Sequence, residues 1–328
     1  MSSVALHSEQ ATTRAIARVH GIDAVRFCAI AAVIFIHLPK IGSLGQLADA
    51  LARFAVPFFF AASGYFLASS RRSETAEIAR SAKRLLIPYV AWTAIYTWYA
   101  INFRGPQLDR LTPLRLLIDG GGGYHLWFLP SLFACTCLLV FARRLSNAAL
   151  IASALALYVT GLALGTYAKP VLGFENEFWN MRDGPFFGFV FMAFGMVAAR
   201  SGFRLSLGAS LALLLASALG QVAEAYLINR YDQTILRDLQ VSTVPYGCAA
   251  FLAALALPDR GWVRALAYLG ERSLGVYLLH LLGIWIGLLL LPARTFADAL
   301  AVAGFALIFA TSASLALDSH PLTRFLVR

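Results

Sequence analysis

Charged residues are spaced along this chain so that ten long stretches contain no Asp, Glu, Lys or Arg: residues 27–39, 54–70, 85–103, 120–142, 145–168, 184–199, 205–223, 239–258, 273–293 and 299–317. About 20 uncharged, apolar residues are what an α-helix needs to cross roughly 30 Å of hydrocarbon. The first gap is short only because Asp23 and Arg26 stand in its opening turns, so its helix is expected from about residue 20. The runs are continuously apolar and not alternating ten-residue segments, which excludes a closed β-barrel. The expectation is an all-α, polytopic membrane bundle of about ten transmembrane helices.

Composition agrees. Of 328 residues, 59% are hydrophobic and 13% charged, against roughly 45–50% and 25% in a soluble domain, so a water-soluble globule is excluded. Ten spans and short loops use up the length. Three segments are expected: a cytoplasmic N-terminal segment over 1–19, one membrane-embedded domain over 20–317 and a cytoplasmic tail over 318–328. The first 20 residues lack an apolar core followed by a small-residue cleavage site, so the first span is expected to stay as an anchor. Cys28, Cys135, Cys137 and Cys248 all lie in apolar stretches, giving neither a disulfide framework nor zinc spacing. No metal site is expected. The net charge of +10 is read as topology signal and as contact with anionic lipid headgroups or ligand, with no nucleic-acid partner.

An even number of spans puts both termini on one side, and Lys and Arg favour the cytoplasm. With the termini inside, the inner side holds sixteen: Arg14, Arg18, Arg71, Arg72, Arg80, Lys83, Arg84, Arg143, Arg144, Arg200, Arg204, Arg260, Arg264, Arg272, Arg324 and Arg328. The outer side holds ten, with longer loops richer in acids such as Asp119, Asp183, Asp232 and Asp238. Both ends are therefore expected in the cytoplasm.

Polar residues inside spans are costly and mark either function or buried pairing. In the first span Arg26 and His37 are eleven residues apart, close to three turns, so they share a face about 16 Å apart along the axis. Asp23 stands one turn from Arg26, which admits a plain structural reading as an ion pair at the inner interface. His125 follows four glycines and Tyr124 and precedes Trp127, expected on the same side as His37. The two aromatics could equally form an interfacial belt. Ser273, Tyr277 and His280 follow i, i+4, i+7, one polar stripe that faces the bundle interior or a water-filled cavity. The basic segment holding Arg71, Arg72, Arg80, Lys83 and Arg84 is either a topology anchor or a binding surface for an anionic cytoplasmic ligand, with arginines forking onto phosphates.

Five segments in this order carry a family resemblance: Ile22-Asp-Ala-Val-Arg26 with His37, Pro57 to Leu67, Lys83-Arg84-Leu-Leu-Ile-Pro88-Tyr89, His125-Leu-Trp-Phe-Leu, and Leu269-Gly followed by Ser273 to His280. Over residues 20 to 315 the chain resembles the acyltransferase 3 family of integral-membrane acyltransferases, in the branch without a fused hydrolase-like domain. The resemblance implies a non-aminoacyl acyltransferase of the bacterial inner membrane. It would move an acyl group, acetyl being expected, from cytoplasmic acyl-CoA to a hydroxyl of an extracytoplasmic polysaccharide or glycolipid. It implies Arg26 and His37 as the functional pair, supported by Asp23, Tyr124, His125, Trp127, Ser273, Tyr277 and His280, with the basic segment holding acyl-CoA. Acyl-CoA is then a donor substrate, with no permanently bound cofactor, and the partners are the glycan acceptor and membrane lipids. His37 would act as general base, or alternatively carry the acyl group itself. The residues leave open a transporter or lipid flippase with a polar path, which needs no coenzyme A, and a structural partner of a glycan assembly complex, which would tolerate loss of His37.

Overall fold

The computed structural model describes residues 19–104, 112–174, 180–232 and 238–328. Residues 1–18, with most of the expected N-terminal segment, lie outside this description. The described residues form thirteen α-helices and no strand. In order these are α1 (His20–His37), α2 (Gly42–Ala52), α3 (Ala55–Ala68), α4 (Glu74–Tyr99), α5 (Pro113–Ile118), α6 (Phe128–Ala142), α7 (Asn147–Leu164), α8 (Pro185–Ser201), α9 (Leu207–Tyr231), α10 (Thr243–Ala256), α11 (Gly261–Gly270), α12 (Ser273–Leu290) and α13 (Phe296–Ser319).

Six helical stretches are long and apolar enough to cross a membrane by length and composition: α1, α2 and α3 taken together as Gly42–Ala68, α7, α9, α12 and α13. The shorter α6, α8 and α10 are apolar as well. Each uncharged stretch of the sequence carries a helix; α2, α5 and α11 lie between them. Two boundaries differ from the expected ones. The 120–142 stretch becomes helical only at Phe128, because Gly120 and Gly121 take positive φ of 80° and 55° and hold the chain in turns. Conversely, α4 runs back to Glu74, capped by the Ser73 hydroxyl on the Ala76 N–H at 3.3 Å. Arg80, Lys83 and Arg84 thus sit on a helix, and Pro88 lies in its interior and not at its start.

Small residues let the helices approach. A Cβ on Gly64 would lie 2.0 Å from the Met192 carbonyl oxygen and one on Gly195 1.9 Å from that of Ala61, so α3 and α8 cross backbone to backbone. Beside this crossing Phe60, Phe187, Phe191 and Phe251 are fully buried. The C-terminal residues fold back onto α4: Trp92 donates its indole N–H to the Leu326 carbonyl at 2.7 Å, and Val327 is buried. α11 packs on α1, and α12 packs on both α1 and α13. This places the two helices that carry the polar stripes, α1 and α12, side by side.

Candidate functional site

The last turn of α1, the turn before α6 and the middle of α12 bring three imidazoles together. Ring centroids are 5.2 Å apart for His37 and His280, 6.2 Å for His37 and His125, and 4.9 Å for His125 and His280. Tyr124 lies 5.5 Å from His37, and Tyr96 and Tyr277 lie 4.8 Å and 5.4 Å from His125. The glycine run makes this possible, since a Cβ on Gly122 would lie 2.8 Å from the Tyr96 carbonyl oxygen and one on Gly123 3.0 Å from the Tyr96 side chain. The loop therefore lies directly on α4 and carries His125 to the centre.

Hydrogen bonding fixes part of the cluster. The Tyr277 hydroxyl donates to the His125 carbonyl oxygen, and the Tyr96 hydroxyl donates to that of Leu278 at 2.7 Å. His280 Nδ1 stands 2.5 Å from the Tyr277 carbonyl oxygen. His280 Nε2 is buried without a partner, which costs about 1–3 kcal/mol relative to a satisfied group, and His125 lies within hydrogen-bonding reach of the Leu278 backbone. Among the described residues no group of three His, Cys, Asp or Glu side chains is arranged to hold a metal ion.

A cavity of about 1050 Å³ leads toward this cluster. Arg26, Arg71, Arg72, Arg80 and Arg84 line one end, and buried Val33, Phe128 and Tyr277 line the other. It follows α1 from Arg26 to Val33 and α12 from Ser273 to Tyr277, stopping one side chain short of the imidazoles. Arg26 donates to Asp23 at 2.6 Å, and its guanidinium stands 5.2 Å from the Phe66 ring centroid. Gly270 presses on this pair, since a Cβ there would lie 1.7 Å from the Asp23 carbonyl oxygen. Two acids share the lining with the arginines, Glu77 and Glu271; Glu77 is buried, accepts the Ser70 hydroxyl and pairs with Arg72 at 3.6 Å.

The family model described as an acyltransferase domain matches residues 19–318. The chain belongs to the acyltransferase 3 family. An amino-acid racemase of Enterococcus faecalis is 31% identical over 197 residues, covering 53% of this chain and 27% of that protein. A serine/alanine racemase of Enterococcus gallinarum is 28% identical over 285 residues, covering 79% of this chain and 40% of that protein. The chain thus spans well under half the length of these curated relatives. No solved structure matches it.

Most of the residues singled out in the sequence of this acyltransferase 3 member meet at one cavity or at the cluster beyond it. His37, Tyr124, His125, Tyr277 and His280 surround the cluster; Arg26, Ser273, Arg71, Arg72, Arg80 and Arg84 line the cavity. Lys83 is exposed and does not line it. Trp127 is buried with the Arg182 guanidinium 4.5 Å above its ring, so it forms no belt at a surface.

Sequence reasoning missed a buried charge network beside His37. Arg53 donates to Asp49 at 2.6 Å and to Asp238 at 2.5 Å; Arg182 donates to the other Asp238 oxygen at 3.1 Å and to Asp183 at 3.1 Å. Lys40 completes it at 3.3 Å from Asp49. Arg53, Arg182 and Asp238 are within electrostatic reach of His37. Burial works to raise the Asp238 carboxyl, but the Arg53 and Arg182 charges outweigh it and hold it down at about 2. In Asp183 burial prevails over the pull of Arg182, and its carboxyl is pushed up to about 6. The i, i+4 spacing of Asp49 and Arg53 was the one sequence signal available.

Proposed function

We propose that this family member is a membrane O-acyltransferase. It moves an acyl group, acetyl as first candidate, from cytoplasmic acyl-CoA to a hydroxyl of an extracytoplasmic polysaccharide or glycolipid. The setting is the bacterial cytoplasmic membrane, crossed ten times with both termini inside.

The observation that carries this reading is the cavity: five arginines at one end, Val33, Phe128 and Tyr277 toward the other, and three imidazoles just past that far end. A nucleotide thioester has the matching polarity. Its phosphates take the planar forks of Arg71, Arg72, Arg80 and Arg84, and its slender pantetheine arm passes Arg26 between α1 and α12. The acyl carbon then approaches His37. An acceptor hydroxyl is a poor nucleophile until a base takes its proton, which a near-neutral imidazole can do. The racemase names belong to proteins of which this chain spans 27% and 40%, and no racemase chemistry is taken from them.

The test pairs two measurements. Calorimetry on the detergent-purified chain should show coenzyme A binding, and mass spectrometry of cell-envelope glycans should show one ester signal lost when the protein is removed. Unchanged ester content together with no coenzyme A binding contradicts the proposal.

A further inference from the structure

The arginines of the cavity stand in two tiers, one nearer the imidazoles than the other. Arg26 precedes His37 by eleven residues of α1, and Arg84 precedes Tyr96 by twelve residues of α4. Tyr96 lies 4.8 Å from the His125 ring, so both arginines stand roughly 16–18 Å along their helices from the imidazole cluster. Arg84 is within electrostatic reach of Arg26 and Arg80, and these three form the near tier. Arg72 lies farther back: it pairs at 3.6 Å with Glu77, seven residues before Arg84 on α4 and hence roughly 10 Å from it along the axis. Arg71 precedes it in the connection from α3 to α4. Charge compensation differs along the cavity as well. Arg26 is paired with Asp23 and Arg72 with Glu77, whereas among the described residues no acid lies within ion-pair distance of Arg80 or Arg84.

A coenzyme A thioester carries its anionic groups in a fixed order. From its acyl carbon to its first phosphorus run about fourteen bonds, equal at full stretch to four or five residues of backbone, or roughly 16 Å. A phosphate at the near tier therefore brings the acyl carbon level with His37, while one held roughly 10 Å farther back leaves that carbon short of it. The ribose 3′-phosphate follows about six to eight bonds beyond the pyrophosphate, a reach of roughly 7–9 Å, which matches the offset of the two tiers. We propose that Arg26, Arg80 and Arg84 hold the pyrophosphate while Arg71 and Arg72 read the 3′-phosphate, so that the site selects a free 3′-phosphorylated nucleotide thioester. This rests on the acyl-CoA reading above. A thioester on protein-bound phosphopantetheine brings one phosphodiester and no 3′-phosphate, which leaves the far tier without an anion and sets that donor at a disadvantage.

The probes are coenzyme A and dephospho-coenzyme A, which lacks only the 3′-phosphate, each titrated by calorimetry into the detergent-purified full chain. The wild type should prefer coenzyme A by about 10–100-fold, the scale of charge-assisted hydrogen bonds to a phosphate. Arg84→Gln should weaken both ligands by one similar factor of about tenfold or more and keep that preference. Arg71→Gln combined with Arg72→Gln should erase the preference, bringing coenzyme A down to dephospho-coenzyme A while the latter changes less than about twofold. Equal wild-type affinity for the two probes overturns the proposal and leaves the acyl-CoA reading standing. So does a preference that Arg84→Gln erases or that the double variant keeps, and so does an unchanged affinity for both ligands in Arg84→Gln. No binding of coenzyme A by the wild type overturns both. If the double variant fails to fold, Arg71→Gln alone must lower the preference without weakening dephospho-coenzyme A; if Arg84→Gln fails to fold, Arg80→Gln must weaken both ligands equally. Failure of either expectation overturns the proposal.

Discussion

The Arg53 guanidinium donates to the Asp238 carboxylate at 2.5 Å across 185 residues of chain, and to Asp49 at 2.6 Å. All three side chains are buried. The contact ties the junction of α2 and α3 to the loop before α10, beside His37.

Removing one member of a buried ion pair strands the other, at about 3–5 kcal/mol. Arg53→Met should therefore lower the thermal midpoint steeply in detergent, followed by intrinsic fluorescence. Arg53→Met combined with Asp238→Asn should recover part of the loss. Additive losses in the double variant would show that the two groups do not act as a pair.

Gly270→Ala should cost at least the 1–3 kcal/mol of an overpacked contact, because its Cβ would lie 1.7 Å from the Asp23 carbonyl oxygen and 3.3 Å from the Arg26 Cβ. Coenzyme A affinity should fall with it, as Arg26 shifts. Gly304→Ala is the control: nothing lies within 4 Å of its added Cβ, and it should stabilise α13 by about 0.5–1 kcal/mol.

Asp183 should impose a pH dependence of definite sign. Its carboxyl is raised from 3.8 to about 6 in the folded chain, so the fold favours the protonated form. Its stabilising contribution is full below the unfolded value and is lost as pH rises through about 6. Asp183→Asn should be more stable than the wild type at pH 7.5, on the order of 1 kcal/mol, with the difference shrinking as pH falls below 6. A difference that grows on acidification would contradict the assignment.

Much of this site could be read from the sequence because membrane insertion makes polar residues conspicuous. His37, His280 and Arg26 interrupt apolar runs, and each stands out on that ground. Their meeting with His125 could not be read, since the three imidazoles come from three separate elements. Charge spacing also ended the third stretch at Arg84, although α4 continues to Glu74 as a polar-faced helix. Arg53, Asp238 and Arg182 cannot be read as a network from sequence, because charges in short connections look like solvated surface until the fold packs them against one another.

The basic segment offers an internal comparison. Arg84 lines the cavity and Lys83, its neighbour on α4, does not. Arg84→Glu should weaken coenzyme A binding about tenfold or more and leave a smaller salt dependence, while Lys83→Glu should change it only slightly, through screened long-range charge. Equal effects of the two would make the segment a diffuse electrostatic surface and not a phosphate site.

Arg26→Ala should reduce both binding and turnover, and Arg26→Lys should restore only part, because a point ammonium lacks the planar fork. For either variant a loss of activity with unaltered coenzyme A affinity would move Arg26 off the donor route.

The most direct test of the account is His37→Ala, read as glycan ester formed per folded molecule, with coenzyme A binding measured on the same preparation. Ester formation should be abolished while folding and coenzyme A affinity stay near wild type, because His37 stands past the end of the cavity opposite its arginines. Near wild-type ester formation per folded molecule would contradict it.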